Sequence, residues 1–175
     1  MIMKIVFSFG RVNPPTSGHR KLVEKLCLEA EKDNGVARLY LSMSQDAVRN
    51  PLSAEKKLSF ARELFPEIEV RSSRTLFNAI DEMVAEGFDE AVFCCGEDRY
   101  EDFSKTFNQY LGPDIFKMKS VEVRKIDRTD EDVSASKARE AVLNNDWKSF
   151  CELSASTDEQ FNNNIFVELR NMMGA

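Results

Sequence analysis

The sequence predicts an α/β protein: a Rossmann-like, doubly wound parallel sheet of about five strands with a C-terminal helical tail. Three observations predict it. Apolar runs of strand length alternate with stretches of helical period in the order βαβαβαβαβα, the order that builds a parallel sheet with crossover helices. The run over residues 90–95, Glu-Ala-Val-Phe-Cys-Cys, is apolar almost throughout, as a strand covered on both faces must be. The loops after the first, fourth and fifth strands hold the most suggestive residues, and they fall at the carboxyl edge of such a sheet, where ligands bind.

Each element has its own reason. An apolar run over 2–9 forms the first strand, and Leu22, Val23, Leu26, Cys27 and Ala30 mark a helix over about 18–32, since they recur on one face. Asn34-Gly35 is a turn signal. Residues 36–42 read as the second strand, centred on Leu39, Tyr40 and Leu41, and 44–53 as a polar loop. Ser53 is placed to cap a helix over 54–64, which Pro66 stops, because a serine hydroxyl accepts from a free amide of the first turn. A short third strand spans 68–71. A helix over about 75–86 buries Leu76, Ile80, Met83 and Val84, and Gly87 suits the left-handed position after it. Following the fourth strand, Gly96-Glu97-Asp98-Arg99 reads as a loop, 101–111 as a helix and Gly112-Pro113 as its end. Residues 121–126 alternate like a fifth strand. An acidic, solvated loop over 127–132 then leads to serines ahead of a helix ending near Leu143. A turn or two of helix over 147–153 and a helical pattern over 158–173, with Phe161, Ile165, Phe166, Leu169, Met172 and Met173, complete the chain. Residues 1–175 form one domain in this reading, and about 146–175 are its helical C-terminal extension, whose apolar stripe suits core or dimer packing and leaves a homo-oligomer open. No internal repeat or low-complexity run divides the chain.

Composition excludes several classes. Lys plus Arg number 24 against 30 Asp plus Glu, a net charge of −6. A broad nucleic-acid surface needs a basic stripe to displace phosphate counterions, so none is expected, though a small cationic pocket is compatible. No run approaches the roughly 18–20 apolar residues that span a bilayer, so no membrane partner is expected. The chain starts Met-Ile-Met-Lys and runs into a strand with no basic leader, which predicts a cytoplasmic protein. Cys27, Cys94, Cys95 and Cys151 lack metal-ligand spacing. The adjacent pair point to opposite faces of a strand, so free thiols in a reducing compartment are expected, with no protein-held metal site.

Phe9-Gly10-Arg11-Val12-Asn13-Pro14-Pro15-Thr16-Ser17-Gly18-His19 joins the first strand to the first helix and holds the chain's only histidine. Free N–H groups and a positive helix end beside an imidazole suit a phosphate. Gly10 would let a ligand approach the backbone, Pro14-Pro15 stiffens the loop, and Gly18 leaves room at the helix start. Thr16 and His19 then lie where an oxyanion could be held.

This stretch resembles the (H/T)xGH signature of the nucleotidyltransferase superfamily, in a Thr-x-Gly-His form. Val133-Ser134-Ala135-Ser136-Lys137-Ala138-Arg139, taken alone, could be no more than a capped helix start. It also resembles the superfamily's second signature, Ile-Ser-x-Thr-x-x-Arg, with Val133 for Ile and Ser136 for Thr. There, hydroxyls and amides at a helix start hold the triphosphate, and a guanidinium binds phosphate oxygens in pairs. Gly96-Glu97-Asp98-Arg99 is similar to the Gly-x-Asp segment of nicotinamide-nucleotide adenylyltransferases, although Glu97 departs from the small residue common there. Arg49-Asn50-Pro51-Leu52-Ser53 resembles a segment of nucleotidyltransferases encoded by tailed phages, for which cytoplasmic would mean the host's cytoplasm.

The resemblance implies attack of a small phosphorylated acceptor on the α-phosphorus of an NTP, with release of pyrophosphate. ATP is the expected donor and nicotinamide mononucleotide the expected acceptor. Magnesium would come bound through the NTP phosphates, since hard cations in such sites take mainly phosphate and water oxygens. It implies catalytic roles for His19, Thr16 and Arg139, and nucleotide contacts from Phe9, Gly10, Arg11, Gly18, Gly96, Asp98, Ser134 and Ser136. Arg49, Lys56 and Arg74 are candidates to hold the acceptor's phosphate. A cytidylyltransferase or another small-phosphate nucleotidyltransferase would fit the same motifs, as would a nucleotide-binding or structural module without turnover. Aminoacyl-tRNA synthetase relatives do not fit: the chain is too short and too acidic.

Overall fold

A computed structural model describes residues 2–110, 118–127 and 129–175. Its elements are β1 (Lys4–Gly10), α1 (Ser17–Lys32), β2 (Val36–Leu41), α2 (Ala54–Leu64), β3 (Glu69–Ser72) and α3 (Leu76–Ala85). They continue with β4 (Glu90–Cys95), α4 (Glu97–Tyr110), β5 (Ser120–Lys125), α5 (Glu131–Leu143), α6 (Trp147–Leu153) and α7 (Glu159–Met173). The sheet is parallel in the order β3-β2-β1-β4-β5, so the chain winds outward in both directions from β1. The predicted fold class is the observed one. The expected end of the fourth helix at Gly112-Pro113 lies outside the described residues.

The alternation of side chains along the strands divides the core. Val6, Leu39, Leu41, Val92 and Cys94 pack with α1 and α2 on one face. Ile5, Phe7, Tyr40, Phe93 and Cys95 pack with α3 and α4 on the other. Cys94 and Cys95 do face opposite ways, as their adjacency in a strand requires. A third cluster joins α5, α6 and α7 through Ala138, Val142, Phe150, Ile165, Phe166 and Leu169, and it takes in Leu52 from the loop after β2. The tail thus packs on its own chain. No helix among the described residues is long and apolar enough to cross a membrane.

Two boundaries differ from expectation, for one reason. Helix α4 starts at Glu97, directly after Gly96, and not near 101; Glu97 and Asp98 fill its first turn. Helix α5 starts at Glu131, so the acidic stretch over 127–132 is not all loop, and Ser134 and Ser136 lie inside the helix and not before it. Carboxylates in a first turn favour the positive end of a helix dipole, so acidic runs that read as solvated loops serve here as helix starts. Asp130 precedes α5 with φ 57°.

Two left-handed positions and one tightly packed glycine shape the chain around these elements. Gly87 has φ 95°, the left-handed turn expected after α3. Val12 has φ 50°, a region that strains a β-branched residue. That twist drops the Val12 side chain into the core at 1% exposure and leaves Arg11 outside. Gly18 meets the tightest packing: a Cβ there would lie 2.6 Å from the Glu131 Cα and 2.7 Å from both the Glu131 nitrogen and the Thr129 carbonyl oxygen. Its missing side chain is what lets the start of α5 rest on the first turn of α1.

Candidate functional site

A cavity of about 750 Å³ opens at the carboxyl edge of the sheet, bounded by the ends of β1 and β4. This is the point where the strand order reverses, and crevices of open α/β sheets form there. Its walls come from the end of β1 (Phe9, Gly10, Arg11), from His19, and from the loop after β2 (Ser42, Asp46, Arg49). They close with Gly96, Asp98, Arg99 and Phe103 across β4 and α4, and with Glu131 and Asp132 at the start of α5. The volume suits a nucleotide-sized ligand.

His19 is the third residue of α1, and its ring caps the helix. The Thr16 backbone N–H donates to His19 Nδ1 at 3.0 Å. An amide N–H can only donate, so Nδ1 is the unprotonated nitrogen and Nε2 carries the hydrogen. Burial, followed by the charge of Lys57, lowers the His19 pKa to about 3. At neutral pH His19 is therefore a fixed neutral donor at the cavity wall and not a proton shuttle. Thr16 stands behind it at 1% exposure. Its hydroxyl lies 3.0 Å from His19 Nδ1 and 2.6 Å from the Ser134 hydroxyl, while Ser134 in turn reaches the Glu131 carbonyl at 3.2 Å. Two segments 118 residues apart are joined directly behind the imidazole.

Positive charge collects on the same side. Arg139 donates from Nη1 to the Asn13 carbonyl at 2.8 Å, which ties α5 to the loop after β1. Burial, followed by the repulsion of Arg11, lowers its pKa, and Arg49 adds to the repulsion. Lys57 is fully buried and donates to the Arg11 carbonyl at 2.8 Å and to Ser42 Oγ at 3.2 Å. Its pKa is lowered to about 8 by burial and then by Arg11. None of Arg11, Arg49, Lys57 and Arg139 takes part in the ion pairs among the described residues. Asp132 and Asp46 offset part of the repulsion on Arg139, and cations that repel one another at one wall of a cavity suit a polyanion.

The opposite wall differs. Phe93 and Phe103 pack with ring centroids 4.5 Å apart, and the Arg99 guanidinium lies 5.7 Å from the Phe103 ring centre. Burial, then Asp132, Asp98 and Asp130, raise the Glu131 pKa. The cavity is thus cationic at one end, and aromatic with an acidic rim at the other.

Of the residues expected from sequence, Phe9, Gly10, Arg11, His19, Arg49, Gly96 and Asp98 line the cavity. Thr16 and Ser134 stand behind His19, and Gly18 packs against α5. Arg139 is half-buried and hangs on Asn13, off the cavity wall. Ser136 is exposed on α5, Lys56 on α2, and Arg74 beyond β3, none of them on the wall. Gly10 is not demanded by packing, because a Cβ there would meet only Val12 Cγ2 at 3.9 Å. Sequence reasoning missed Lys57 and Ser42. The helical period from Ala61 and Leu64 does place Lys57 on the buried face of α2, which was the available signal.

No protein-family profile matches the chain, and no curated protein matches it in sequence. Solved structures do match in shape. A bifunctional NMN adenylyltransferase/ADP ribose pyrophosphatase from Francisella tularensis superposes with a TM-score of 0.61 at 11% identity, over 99% of this chain and 53% of that one. The chain shares its fold with the matched part of that protein. A protein from Vibrio parahaemolyticus assigned as a nicotinate-nucleotide adenylyltransferase gives 0.57 at 16% identity, over 99% of this chain and 100% of that one. The Plasmodium falciparum nicotinic acid mononucleotide adenylyltransferase, complexed with NaAD, gives 0.56 at 11% identity, over 97% of each chain. The chain spans about half the length of the Francisella enzyme, which has also been crystallised with AMP and manganese ion.

Proposed function

We propose that this chain is a nucleotidyltransferase that moves the NMP part of an NTP, most readily AMP from ATP, to a small phosphorylated acceptor resembling nicotinamide mononucleotide. One observation carries the reading: Arg11 and Arg49 line the cavity with a neutral imidazole donor at the switch point of the sheet, with Lys57 and Arg139 held close behind them and none of the four in an ion pair among the described residues. The fold shared with NMN and nicotinic acid mononucleotide adenylyltransferases supports it.

The chemistry follows from the groups in place. An ionised phosphate oxygen of the acceptor attacks the α-phosphorus, a P–O bond forms, and the bond to the β-phosphate oxygen breaks to release pyrophosphate. The nucleophile is already an anion, so no general base is needed, which agrees with a histidine held neutral. Such a reaction gains mainly from positioning and charge stabilisation. His19 Nε2–H donates to the phosphates where charge builds up. Arg11 and Arg139 serve the β- and γ-phosphates, and Arg49 serves the acceptor's phosphate. Thr16 and Ser134 hold the imidazole and the start of α5 in register. Among the described residues no group of three His, Cys, Asp or Glu could hold a metal alone. A divalent ion, magnesium in this reading, would be carried mainly by phosphate oxygens and water, and the Asp98 and Glu131 carboxylates on the cavity wall would be the residues to hold it or its waters.

The test is pyrophosphate release with magnesium, crossing ATP and CTP with nicotinamide mononucleotide and a panel of other small phosphates. Release with ATP and nicotinamide mononucleotide is expected. Release with another pair alone would replace the substrates and keep the chemistry. Tight NTP binding with no release from any pair would overturn the transferase reading in favour of a binding module.

A further inference from the structure

Lys57 poses a physical question. A fully buried ammonium that joins no ion pair among the described residues is costly to keep charged. Its position identifies what the charge does. Nζ reaches one oxygen on each of two segments that line the cavity, the Arg11 carbonyl at 2.8 Å and Ser42 Oγ at 3.2 Å. An ammonium only donates, so Ser42 Oγ is the acceptor in that bond and its own hydrogen must point elsewhere. The hydroxyl makes no other hydrogen bond among the described residues, and Ser42 lines the cavity beside Arg11 and Arg49. The same ammonium draws the Arg11 carbonyl inward while the Arg11 side chain stays exposed at the wall.

We propose that Ser42 is a ligand-binding residue whose hydroxyl donates to a phosphate oxygen of the substrate, and that Lys57 is the positioning residue that turns this hydroxyl into a donor and supplies charge behind it. The proposal rests on the phosphate-transfer reading above and extends it to a pair of residues that carry no motif. The phosphate belongs either to the NTP or to the acceptor. The charged and titratable groups acting on Lys57 are Arg11 from the loop after β1 and His19 from α1. His19 stays neutral across the working range, and Lys57 is the group here that titrates near pH 8. Loss of its proton weakens the hold on an anion, and affinity falls as pH rises through that value.

The experiment is calorimetric binding of inorganic pyrophosphate, ATP and nicotinamide mononucleotide at pH 7 and pH 9, with melting temperature and turnover measured on the same samples. The variants are Ser42→Ala, Ser42→Thr and Lys57→Met. Ser42→Ala and Lys57→Met are expected to weaken the contacted ligand roughly tenfold to a hundredfold, as loss of a bond to a charged group does, and Ser42→Thr to retain it. The affinity loss between pH 7 and 9 disappears in Lys57→Met, whose melting transition shows that it is folded. A drop for pyrophosphate and ATP assigns the triphosphate; a drop for nicotinamide mononucleotide alone assigns the acceptor. Unchanged affinity for all three ligands in folded Ser42→Ala overturns the proposal, whether or not turnover is seen. Weakened binding without turnover from any pair keeps the arm and removes the transferase reading. A parent protein that binds none of the three overturns both.

Discussion

His19 does two jobs with one ring: Nδ1 closes the start of α1 by accepting from Thr16, and Nε2–H is left for the cavity. Removing a donor aimed at developing oxyanion charge costs roughly 10²–10³ in turnover. His19→Ala should therefore lose at least that much pyrophosphate release while its circular dichroism stays that of the parent; near-normal turnover would show that the ring is only a cap. The low pKa gives a second expectation, with a definite sign. The folded value of about 3 lies below the unfolded 6.5, so the unfolded chain takes up a proton first as pH falls. The stability tied to a neutral His19 is complete above pH 6.5 and erodes below it, down to about pH 3. Between pH 7 and pH 5 the parent should lose about 2 kcal/mol more than His19→Ala in denaturant unfolding. Equal losses would mean that the imidazole is not held neutral. At this scale the sequence was partly legible. A lone histidine after Gly18 in a loop between strand and helix announces itself. Lys57 does not, because Lys56 and Lys57 are alike in composition and only the buried face of α2 tells them apart.

Between elements, the decisive contact is the start of α5 against the first turn of α1, and Gly18 permits it. Alanine there places a methyl within 2.7 Å of backbone atoms of Thr129 and Glu131, which have no rotamer to yield. Overpacking of this kind costs about 1–3 kcal/mol, and relief requires α5 to move, taking Ser134 away from Thr16. Gly18→Ala should lower both the melting temperature and NTP affinity. Gly10→Ala is the contrast. Its methyl meets nothing of the protein closer than 3.9 Å but intrudes on the cavity, so stability should hold within about 0.5 kcal/mol while NTP affinity falls. If both variants behaved alike, the division between a packing glycine and a ligand-facing glycine would be wrong. Strand and helix order was legible because apolar periodicity is local. The starts of α4 and α5 were not, since an acidic stretch looks the same whether it meets water or a helix dipole.

Across the whole molecule, the tail and the cavity are mechanically linked through one leucine. The Asn13 side chain donates to the Leu52 carbonyl at 3.1 Å and accepts from its N–H at 2.9 Å, stitching the loop after β1 to the loop after β2. Leu52 itself is fully buried in the cluster formed by α5, α6 and α7. The Thr16–Ser154 bridge and the Arg20 bond to the Ala155 carbonyl at 3.0 Å fasten the same tail to the start of α1. Nothing in the apolar period of 158–173 says where that stripe docks, because periodicity defines a face and not its partner. The docking has a consequence for the site. Leu169 is fully buried in that cluster, and Leu169→Ala should destabilise the fold by about 2–5 kcal/mol through lost contacts and a residual cavity. If the tail supports the site, hydrogen exchange in Leu169→Ala will speed up at the amides of Arg49, Asn50 and Leu52 as well as in α7, and saturating NTP will restore part of the protection. Faster exchange confined to α7, with Arg49, Asn50 and Leu52 unchanged, would make the tail an independent cap and leave the loop after β2 held without it.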